Sequence, residues 1–334
     1  MTINPRTAKI SYLKDHHQDY DSYILGCSST SSFPVESLNS YLDASFYNMI
    51  MYGADMLDVE EQAFYLVENY EVKNLVVNVY LDNAKDYNTE PDPLSYSMPS
   101  ETTGENAAAF LSKYLFMDPR HSLDKLKALR KDTYLTQTFD VFDPVTGAYD
   151  KKVRDAEPIG NMDRYLEAYP VFANYPEATN TTNEEAITGT LESLTRIRDL
   201  CQENGINLIV LCAPVYADYM DYFSWDQVAD FYTRLAQVTP YWDFSYSSVS
   251  FEPRYFYDET HFRNCVGRWL WPGYSGMTPC TFPMTSVSMS PRTTSRSTLR
   301  TWPRPRLWPH SPIPRRFPCS CTTISTRRAT TPPP

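Results

Sequence analysis

The chain has 334 residues, of which 41 are acidic and 30 basic, and its formal net charge is −11. This balance excludes a general nucleic-acid binder, because phosphate contacts need clustered Lys and Arg. No run of about 18 apolar residues occurs, so the sequence predicts no membrane span, and no charged-then-apolar signal sequence opens the chain. The seven cysteines lack the paired spacing of metal ligands, and we expect no metal and no cofactor.

The composition changes abruptly after Gly267. Residues 268–334 contain no Asp, Glu or Lys, but they hold ten Arg and thirteen of the 26 Pro. Residues 1–267 therefore hold 20 basic and 41 acidic residues, a net charge of −21, whereas the tail carries +10. A segment that lacks apolar periodicity and is interrupted by Pro cannot build a packed core. We expect one domain over 1–267 and a disordered Pro/Arg/Ser/Thr-rich tail over 268–334.

The tail has the pattern of a frameshift product. When the last base of each codon is read with the first two of the next, the genetic code permits MALARIFGDDPLYVPDDFGVYVT from Arg268 onward. The stretch from Phe317 to Thr326 similarly permits PVLLYHHLD, which resembles the opening of polysaccharide deacetylase domains. Sequencing the DNA around the codon of Gly267 tests this hypothesis, and a single intact frame would refute it.

Strands and helices alternate in the first part of the chain. After a polar helical lead-in over 1–19, the predicted elements are strand Tyr23–Leu25, helix Val35–Leu42, strand Ala44–Met51, helix Val59–Tyr70 with Asp58 as its cap, and strand Leu75–Leu81. The last strand is apolar and β-branched, which is typical of a parallel sheet covered on both faces. The alternation predicts right-handed βαβ units.

Residues 82–182 interrupt this rhythm, and we interpret them as an insertion over the sheet edge. The insertion is predicted to contain helices Ala107–Leu115 and Leu123–Leu129 and a β-hairpin formed by Thr138–Phe142 and Ala148–Val153. The rhythm returns with helix Asn183–Asn204, strand Asn207–Ala213, helix Asp226–Val238 and strand Tyr241–Phe244. The fold prediction is α/β, a flavodoxin-like three-layer α/β/α arrangement with a mainly parallel sheet of about five strands, plus the 82–182 insertion.

The first strand stops at Gly26 and is followed directly by Cys27, Ser28 and Ser29. A turn of small residues between a strand and a helix exposes a hydroxyl and free N–H groups, which suits a nucleophilic serine. The same stretch is equally consistent with a structural role, in which Ser28 and Ser29 only cap the next helix.

Asp258 and His261 are three residues apart and follow the last predicted strand. Residues at this spacing can lie on one face, so the carboxylate would fix the imidazole tautomer and leave the other ring nitrogen as a base. Both this pair and Ser28 are predicted at the carboxyl ends of the strands, where parallel sheets bind ligands.

The chain resembles the SGNH (GDSL-like) hydrolase superfamily in two motifs and in their order and separation. The first is Gly26-Cys27-Ser28-Ser29, which contains Ser28, and the second is Asp258-Glu259-Thr260-His261, which contains His261. More narrowly, residues 20–267 look like bacterial extracellular SGNH-like proteins that add or remove acyl groups on cell-wall polymers. The resemblance implies Ser28 as nucleophile, His261 as base and Asp258 as its orienter. It also implies that the N–H groups of Ser28 and Gly53 bind the oxyanion.

Two features depart from the family pattern. Cys27 stands where the first block usually has Asp, and no Gly-x-Asn-Asp block follows the third strand. The candidates for its side-chain Asn are Asn78 and Asn83, and we favour Asn83 because it lies at the predicted strand end. Loss of one oxyanion donor lowers rates about 10² to 10³-fold in other enzymes.

The resemblance implies acyl transfer to or from an acylated carbohydrate or cell-wall polymer, outside the cell or at its surface. Family members of this kind usually carry an N-terminal membrane anchor, and the resemblance implies that this chain starts just short of where such an anchor would end. Tyr216, Tyr219 and Tyr222 would line a sugar-stacking groove, although packing against the insertion is the commoner role of such aromatic residues.

Two other functions are compatible with the sequence. A catalytically silent glycan-binding or scaffold module would explain the missing third block. A flavodoxin-like nucleotide binder is less well supported, because the first turn has neither G-x-G-x-x-G nor a Walker lysine.

Overall fold

Five parallel strands form the centre of the computed structural model, which describes residues 5–85, 100–115, 141–150, 160–172 and 180–270, together with Leu123, Leu126, Lys127 and Arg130. The strands are β1 (Ser22–Leu25), β2 (Phe46–Asn48), β3 (Asn74–Asn78), β4 (Val141–Phe142), β5 (Tyr149–Asp150), β6 (Asn207–Cys212) and β7 (Tyr241–Asp243). The helices are α1 (Pro5–His16), α2 (Val35–Leu42), α3 (Met56–Asn69), α4 (Ser100–Thr103), α5 (Ala107–Leu115), α6 (Met162–Ala168), α7 (Glu184–Glu203), α8 (Ala217–Met220), α9 (Trp225–Val238) and α10 (Asn264–Trp269).

The central sheet has the strand order β2-β1-β3-β6-β7, and every neighbouring pair is parallel. In the register, Ile24 lies opposite Asn48 on one side and Val76 on the other. Helices flank the sheet, as parallel strands require because their connections must cross over one face or the other. The predicted α/β fold is therefore confirmed, and the arrangement is consistent with a flavodoxin-like three-layer fold.

Side chains of β1 and β3 are buried on both faces of the sheet. Tyr23, Leu25 and Val77 belong to one hydrophobic cluster, whereas Ile24 and Val76 belong to a second one. Alternate residues of a strand point to opposite faces, so the two clusters are the two interfaces between the sheet and its helices. The apolar runs of these strands are therefore buried on both faces, as expected for a parallel sheet that helices cover on both sides.

The amino-terminal helix α1 packs into the core, whereas the sequence predicted a polar helical lead-in for this segment. Lys9 is fully buried, and its Nζ donates to the backbone carbonyls of Asn48 at 2.9 Å and Ile50 at 3.2 Å. Arg6 is also buried and forms an ion pair with Asp58 at 2.7 Å. The charged side chains of α1 therefore bind the polypeptide that leaves β2, so the prediction of a polar lead-in is wrong for this face of the helix.

The cap of α3 also differs from the prediction. Asp55 is the N-cap, and its carboxylate accepts the backbone N–H of Asp58 at 3.1 Å. Asp58 lies inside the first turn and pairs with Arg6 instead. Acidic residues at both positions suit a helix N-terminus, so the sequence pattern alone did not distinguish the cap from the first turn.

The described part of the insertion includes a hairpin that lies against the edge strand β2. Strands β4 and β5 pair antiparallel, and the carbonyl of Thr146 in their turn accepts the N–H of Asn48 at 2.9 Å. Gly147 has φ +68°, and a Cβ there would lie 2.2 Å from the Asn48 carbonyl oxygen. Only glycine allows this close approach. The hairpin therefore covers one edge of the sheet.

Helix α5 confirms the predicted helix Ala107–Leu115. Most of the predicted helix Leu123–Leu129, the outer ends of the predicted hairpin and the tail beyond Leu270 lie outside the described residues. All the described residues belong to one compact unit. Among the described helices, none combines the length and the apolar character that a membrane crossing needs.

Candidate active site

A sharp turn follows β1 and presents Ser28 at the edge of the sheet. Gly26 has φ +148°, and a Cβ there would lie 2.7 Å from Thr30 Oγ1 and 3.3 Å from Asn78 Cβ. The 3₁₀ turn Ser28–Ser32 follows, closed by a hydrogen bond from Thr30 N–H to the Cys27 carbonyl at 3.0 Å. Glycine is therefore required where the chain leaves the strand, both for its backbone angle and for space.

Ser28 does not cap the helix that follows it. The N-cap of α2 is Pro34, which makes no side-chain capping bond, and the 3₁₀ turn separates Ser28 from that helix. Capping was the alternative explanation for the two serines in this stretch. The structure instead places Ser28 first in its own short turn, half-buried and next to a buried Ser29.

The side chains of Ser28, His261 and Asp258 form an unbroken series of hydrogen bonds. Ser28 Oγ lies 2.7 Å from His261 Nε2. On the other side of the ring, His261 Nδ1 lies 2.7 Å from Asp258 Oδ1 and 2.9 Å from Oδ2. An ionised carboxylate can only accept, so the proton sits on Nδ1 and Nε2 accepts the Ser28 hydroxyl. The arrangement has the geometry in which a histidine can withdraw a proton from a serine.

The carboxylate of Asp258 is held ionised by its surroundings. Burial alone would raise the pKa of this carboxyl, but hydrogen bonding and electrostatic attraction from the His261 ring, together with the backbone N–H groups of Thr260 and His261, outweigh it and hold the pKa below its ordinary value. Backbone N–H groups of Thr260 at 3.0 Å and His261 at 2.9 Å donate to the same oxygen, Oδ1. An anion at this position orients the imidazole and stabilises the charge that it gains on protonation.

The three side chains remain accessible at the edge of the sheet. The His261 side chain is 25% exposed and that of Asp258 is 36% exposed. Ser28 follows the carboxyl end of β1, and the backbone N–H of Tyr216, which follows β6, donates to the Glu259 carbonyl at 2.8 Å. The loop that carries His261 is thus fastened to the carboxyl ends of the strands, where ligands of parallel sheets bind.

Cys27, the neighbour of Ser28, is not a competing nucleophile. Its thiol is buried, and burial raises the pKa of this thiol. A thiolate is the reactive form of cysteine, so this side chain is kept in its inert form. Its Sγ lies 3.1 Å from Ser29 Oγ, a contact within the core beneath the turn.

The two candidate asparagines lie in different surroundings. Asn78 is buried at the end of β3, donates from Nδ2 to Ser29 Oγ at 2.9 Å, and accepts the backbone N–H of Ala213 at 2.9 Å. Asn83 is also buried, and its Oδ1 accepts the N–H of Tyr80 at 3.0 Å within a 3₁₀ turn. The structure therefore brings Asn78 next to the Ser28 turn, whereas the expected preference for Asn83 finds no support in its contacts.

The polypeptide that leaves β2 carries Gly53 along the same edge. The Met51 N–H donates to the Gly26 carbonyl at 2.9 Å, so this segment continues beside the end of β1. Gly53 itself has φ +59°, a backbone angle that favours glycine. Arg6 supports the segment by donating to the Tyr52 carbonyl at 3.1 Å.

The three tyrosines after β6 are mostly packing residues. Tyr216 is 8% exposed and contacts Phe172 edge-on, with the ring centroids 5.2 Å apart. Tyr219 is 5% exposed and its hydroxyl donates to Asp82. Tyr222 is half-buried, so of the three tyrosines it is the one that can still line a groove. Burial and the nearby charge of Glu259 raise the pKa of its hydroxyl.

A cleft lies at the other edge of the sheet. Its volume is about 640 Å³, and its lining residues are His17, Gln18, Asp19, Tyr20, Asp21, Ser45, Glu68, Asn69, Tyr70 and Glu71. Asp21 and Ser45 immediately precede β1 and β2, so the cleft opens at the amino ends of the strands. It is therefore separate from the Ser28 site.

The sequence did not indicate the buried residues that hold the turn of Ser28 and the loop of His261 in place. Ser29 links Asn78 to the turn, and buried Arg263 lies two positions beyond His261, against Tyr165 of the insertion. A polar residue at the end of an apolar strand is a usable signal for Asn78. Nothing in the local pattern links Arg263 to a tyrosine 98 positions away.

When compared with the models of known protein families and with curated proteins, the chain matches none of them.

Proposed function

We propose that the chain is a serine-dependent ester hydrolase or O-acyltransferase of the SGNH (GDSL-like) type that acts on an extracellular or cell-wall glycan. The observation that carries the proposal is the series of hydrogen bonds from the Ser28 hydroxyl through His261 to Asp258. The three groups have the right types, order and distances for nucleophile, base and orienter. They also lie at the carboxyl edge of a parallel sheet, the usual position of an active site in such folds.

In the proposed reaction, Ser28 Oγ attacks the carbonyl carbon of an ester while His261 Nε2 accepts the hydroxyl proton. The tetrahedral intermediate then expels the alcohol oxygen, which takes that proton from Nε2, and an acyl-serine remains. Water or a sugar hydroxyl attacks the acyl-serine with His261 again as base, and Ser28 is regenerated. Positioned acid–base groups of this kind contribute about 10² to 10⁴-fold in rate.

Backbone N–H groups would stabilise the oxyanion. The N–H groups that open a helical turn have no acceptor within it, and Ser28 is the first residue of its 3₁₀ turn. Gly53 is the second proposed donor, because its segment continues beside Gly26. Each such donor is worth about 10² to 10³-fold in rate.

The glycan substrate and the cell-surface location rest on the resemblance to SGNH-like proteins that modify cell-wall polymers. The deacetylase-like string in the shifted frame of the tail supports both the substrate and the location, since it would place a second glycan-modifying unit in the protein encoded by the corrected frame. Tyr222, half-exposed beside Glu259, is the aromatic residue best placed to contact a sugar ring.

One observation favours a catalytically silent glycan-binding or scaffold module as the second candidate. The Nδ2 group of Asn78 donates one of its two hydrogens to Ser29 and the side chain is buried, so Asn78 is not placed as an exposed donor for an oxyanion. With two backbone donors alone, acyl transfer would be slow, and retention of the fold for binding becomes a reasonable alternative.

Labelling by a fluorophosphonate separates the two candidates. We expect the parent chain to be labelled and to hydrolyse p-nitrophenyl acetate, and we expect Ser28→Ala to lose both properties. Ser40→Ala is a matched control, because Ser40 lies on α2 and its exposed hydroxyl donates to the backbone carbonyl of Glu36 in the same helix. A parent chain that folds but takes no label would overturn the enzyme proposal in favour of the binding module.

A further inference from the structure

Arg263 is buried at the base of the loop that carries Asp258 and His261. Only 1% of this residue is exposed. Its guanidinium carbon lies 4.7 Å from the ring centroid of Tyr257 and 5.4 Å from that of Tyr165. One of its terminal nitrogens donates to the Tyr165 hydroxyl at 3.1 Å. The guanidinium is thus held between two tyrosine rings, an arrangement that stabilises a buried cation.

Tyr165 belongs to α6, inside the insertion, and its hydroxyl bonds two groups of the loop at once. It accepts from Arg263 and donates to the backbone carbonyl of Phe256. The residue is 2% exposed, so both hydrogen bonds are shielded from water. This hydroxyl therefore joins the Arg263 side chain to the Phe256 backbone, and its removal would break both hydrogen bonds.

The loop between these contacts has the form of a short irregular hairpin. The N–H of Arg263 donates to the Tyr255 carbonyl and that of Tyr257 to the His261 carbonyl, each at 2.7 Å. Phe256 and Phe262 form an antiparallel bridge between the two arms. Asp258 and His261 lie at or next to its tip, so the orientation of the base of the hairpin sets the position of the imidazole relative to Ser28.

We propose that Arg263 and Tyr165 are positioning residues for His261, and that α6 of the insertion is therefore a working part of the site. This inference rests on the proposed function. Neither residue reaches the reacting atoms. They act by fixing the hairpin, so that Nε2 of His261 stays within hydrogen-bonding distance of Ser28 Oγ.

A purely structural pair would affect stability and leave turnover of the folded enzyme unchanged. A positioning pair has a different effect, because a shift of about 1 Å in a catalytic group can cost about 10²-fold in rate. The loss should appear in kcat and not in KM, since both residues are almost completely buried. The two residues share one hydrogen bond, so their effects should also be non-additive.

The test compares Tyr165→Phe and Arg263→Lys with the parent chain, using p-nitrophenyl acetate. Rates are measured well below the melting temperature of each variant. We expect kcat to fall about tenfold or more in each variant with KM nearly unchanged, and the double variant to be little worse than either single one. Tyr23→Phe is the control, because Tyr23 is a fully buried tyrosine of β1 whose hydroxyl has no hydrogen-bond partner among the described residues.

Each remaining outcome counts against the inference. Variants that keep the parent kcat, or that behave like Tyr23→Phe, would overturn it. Variants that lose the folded state at every temperature would show that the pair supports the fold rather than the site. Failure of the proposed function is distinguishable, because in that case the parent chain itself shows no Ser28-dependent turnover.

Discussion

Ser28 Oγ and His261 Nε2 lie 2.7 Å apart, although 233 positions separate the two residues in the chain. The contact joins the turn after the first strand of the sheet to the hairpin after the last one. Neither the turn nor the hairpin can form a site alone.

Asp258→Asn should leave the fold intact and lower kcat by about 10³ to 10⁴-fold. The amide is nearly the same size as the carboxylate, but it does not stabilise the protonated imidazole and can favour the wrong tautomer. Hydrolysis of p-nitrophenyl acetate measures the effect, and circular dichroism checks the fold. Asp199→Asn is the control, since this aspartate lies on α7 and pairs with Arg198 at the surface. A variant with parental kcat would show that the Asp258–His261 bond has no part in turnover.

Asn78→Ala should reduce both stability and fluorophosphonate labelling. The change leaves the Ser29 hydroxyl and the Ala213 N–H without the partners that Asn78 provides. A buried polar group left unsatisfied costs about 1–3 kcal/mol. Urea unfolding and labelling rates measure the two effects.

Asn83→Ala is the matched comparison for that prediction, because Asn83 is equally buried but bonds the backbone of its own 3₁₀ turn. We expect it to lose stability with little change in labelling. If Asn83→Ala were the variant that loses labelling, the assignment of Asn78 to the Ser28 turn would be wrong.

Gly26→Ala should impair folding and abolish labelling of Ser28. The added methyl would lie 2.7 Å from Thr30 Oγ1, at a backbone angle that side chains rarely adopt. Strain of this kind costs about 1–3 kcal/mol. Gly205→Ala separates strain from collision, since Gly205 has φ +67° but no atom within 4 Å of an added Cβ. It should lose some stability and keep full labelling, and equal labelling of both variants would contradict the prediction.

The pH dependence of stability should reveal the buried Lys9. Burial holds the pKa of this ammonium well below its ordinary value of 10.5. Between the lowered value and 10.5 the unfolded chain binds more protons than the folded one, so this group makes the free energy of unfolding rise with pH in that window.

In Lys9→Met this contribution should vanish. Urea unfolding of parent and variant from about pH 7 to about pH 10 measures the difference between the two slopes. Lys127→Met is the control, because Lys127 is exposed. Parallel stability curves for the parent and Lys9→Met would show that Lys9 titrates normally in the folded chain.

Local patterns in the sequence were sufficient to predict the sheet and the three central side chains of the site. Continuous apolar runs predicted β3 and β6. The parallel direction of the strands was predicted because helices separate them in the sequence. Ser28 and His261 were predicted to meet because both follow strand ends at the same edge of the sheet. These inferences use only periodicity and chain direction, which a sequence contains.

The support around the site was not predictable in the same way. The choice between Asn78 and Asn83 depended on where β3 ends, and strand ends are set by pairing with neighbours. The burial of Lys9 and Arg263 depends on carbonyls and tyrosine rings that distant segments bring to them. Tyr216 likewise packs against the distant Phe172, and the hydroxyl of the buried Tyr219 bonds the distant Asp82. Such contacts between distant segments leave no periodic signal in the residues that make them.

The placement of Ser28 on β1 and of His261 beyond β7 has a consequence for synthesis of the protein. A ribosome delivers the serine long before the histidine, so the growing chain displays only an ordinary alcohol at that turn. Premature termination after Asp243 but before His261 would yield a polypeptide with every strand of the central sheet and no reactive centre. Reactivity toward a fluorophosphonate would therefore report that the segment carrying His261 has been synthesised and has docked beside Ser28.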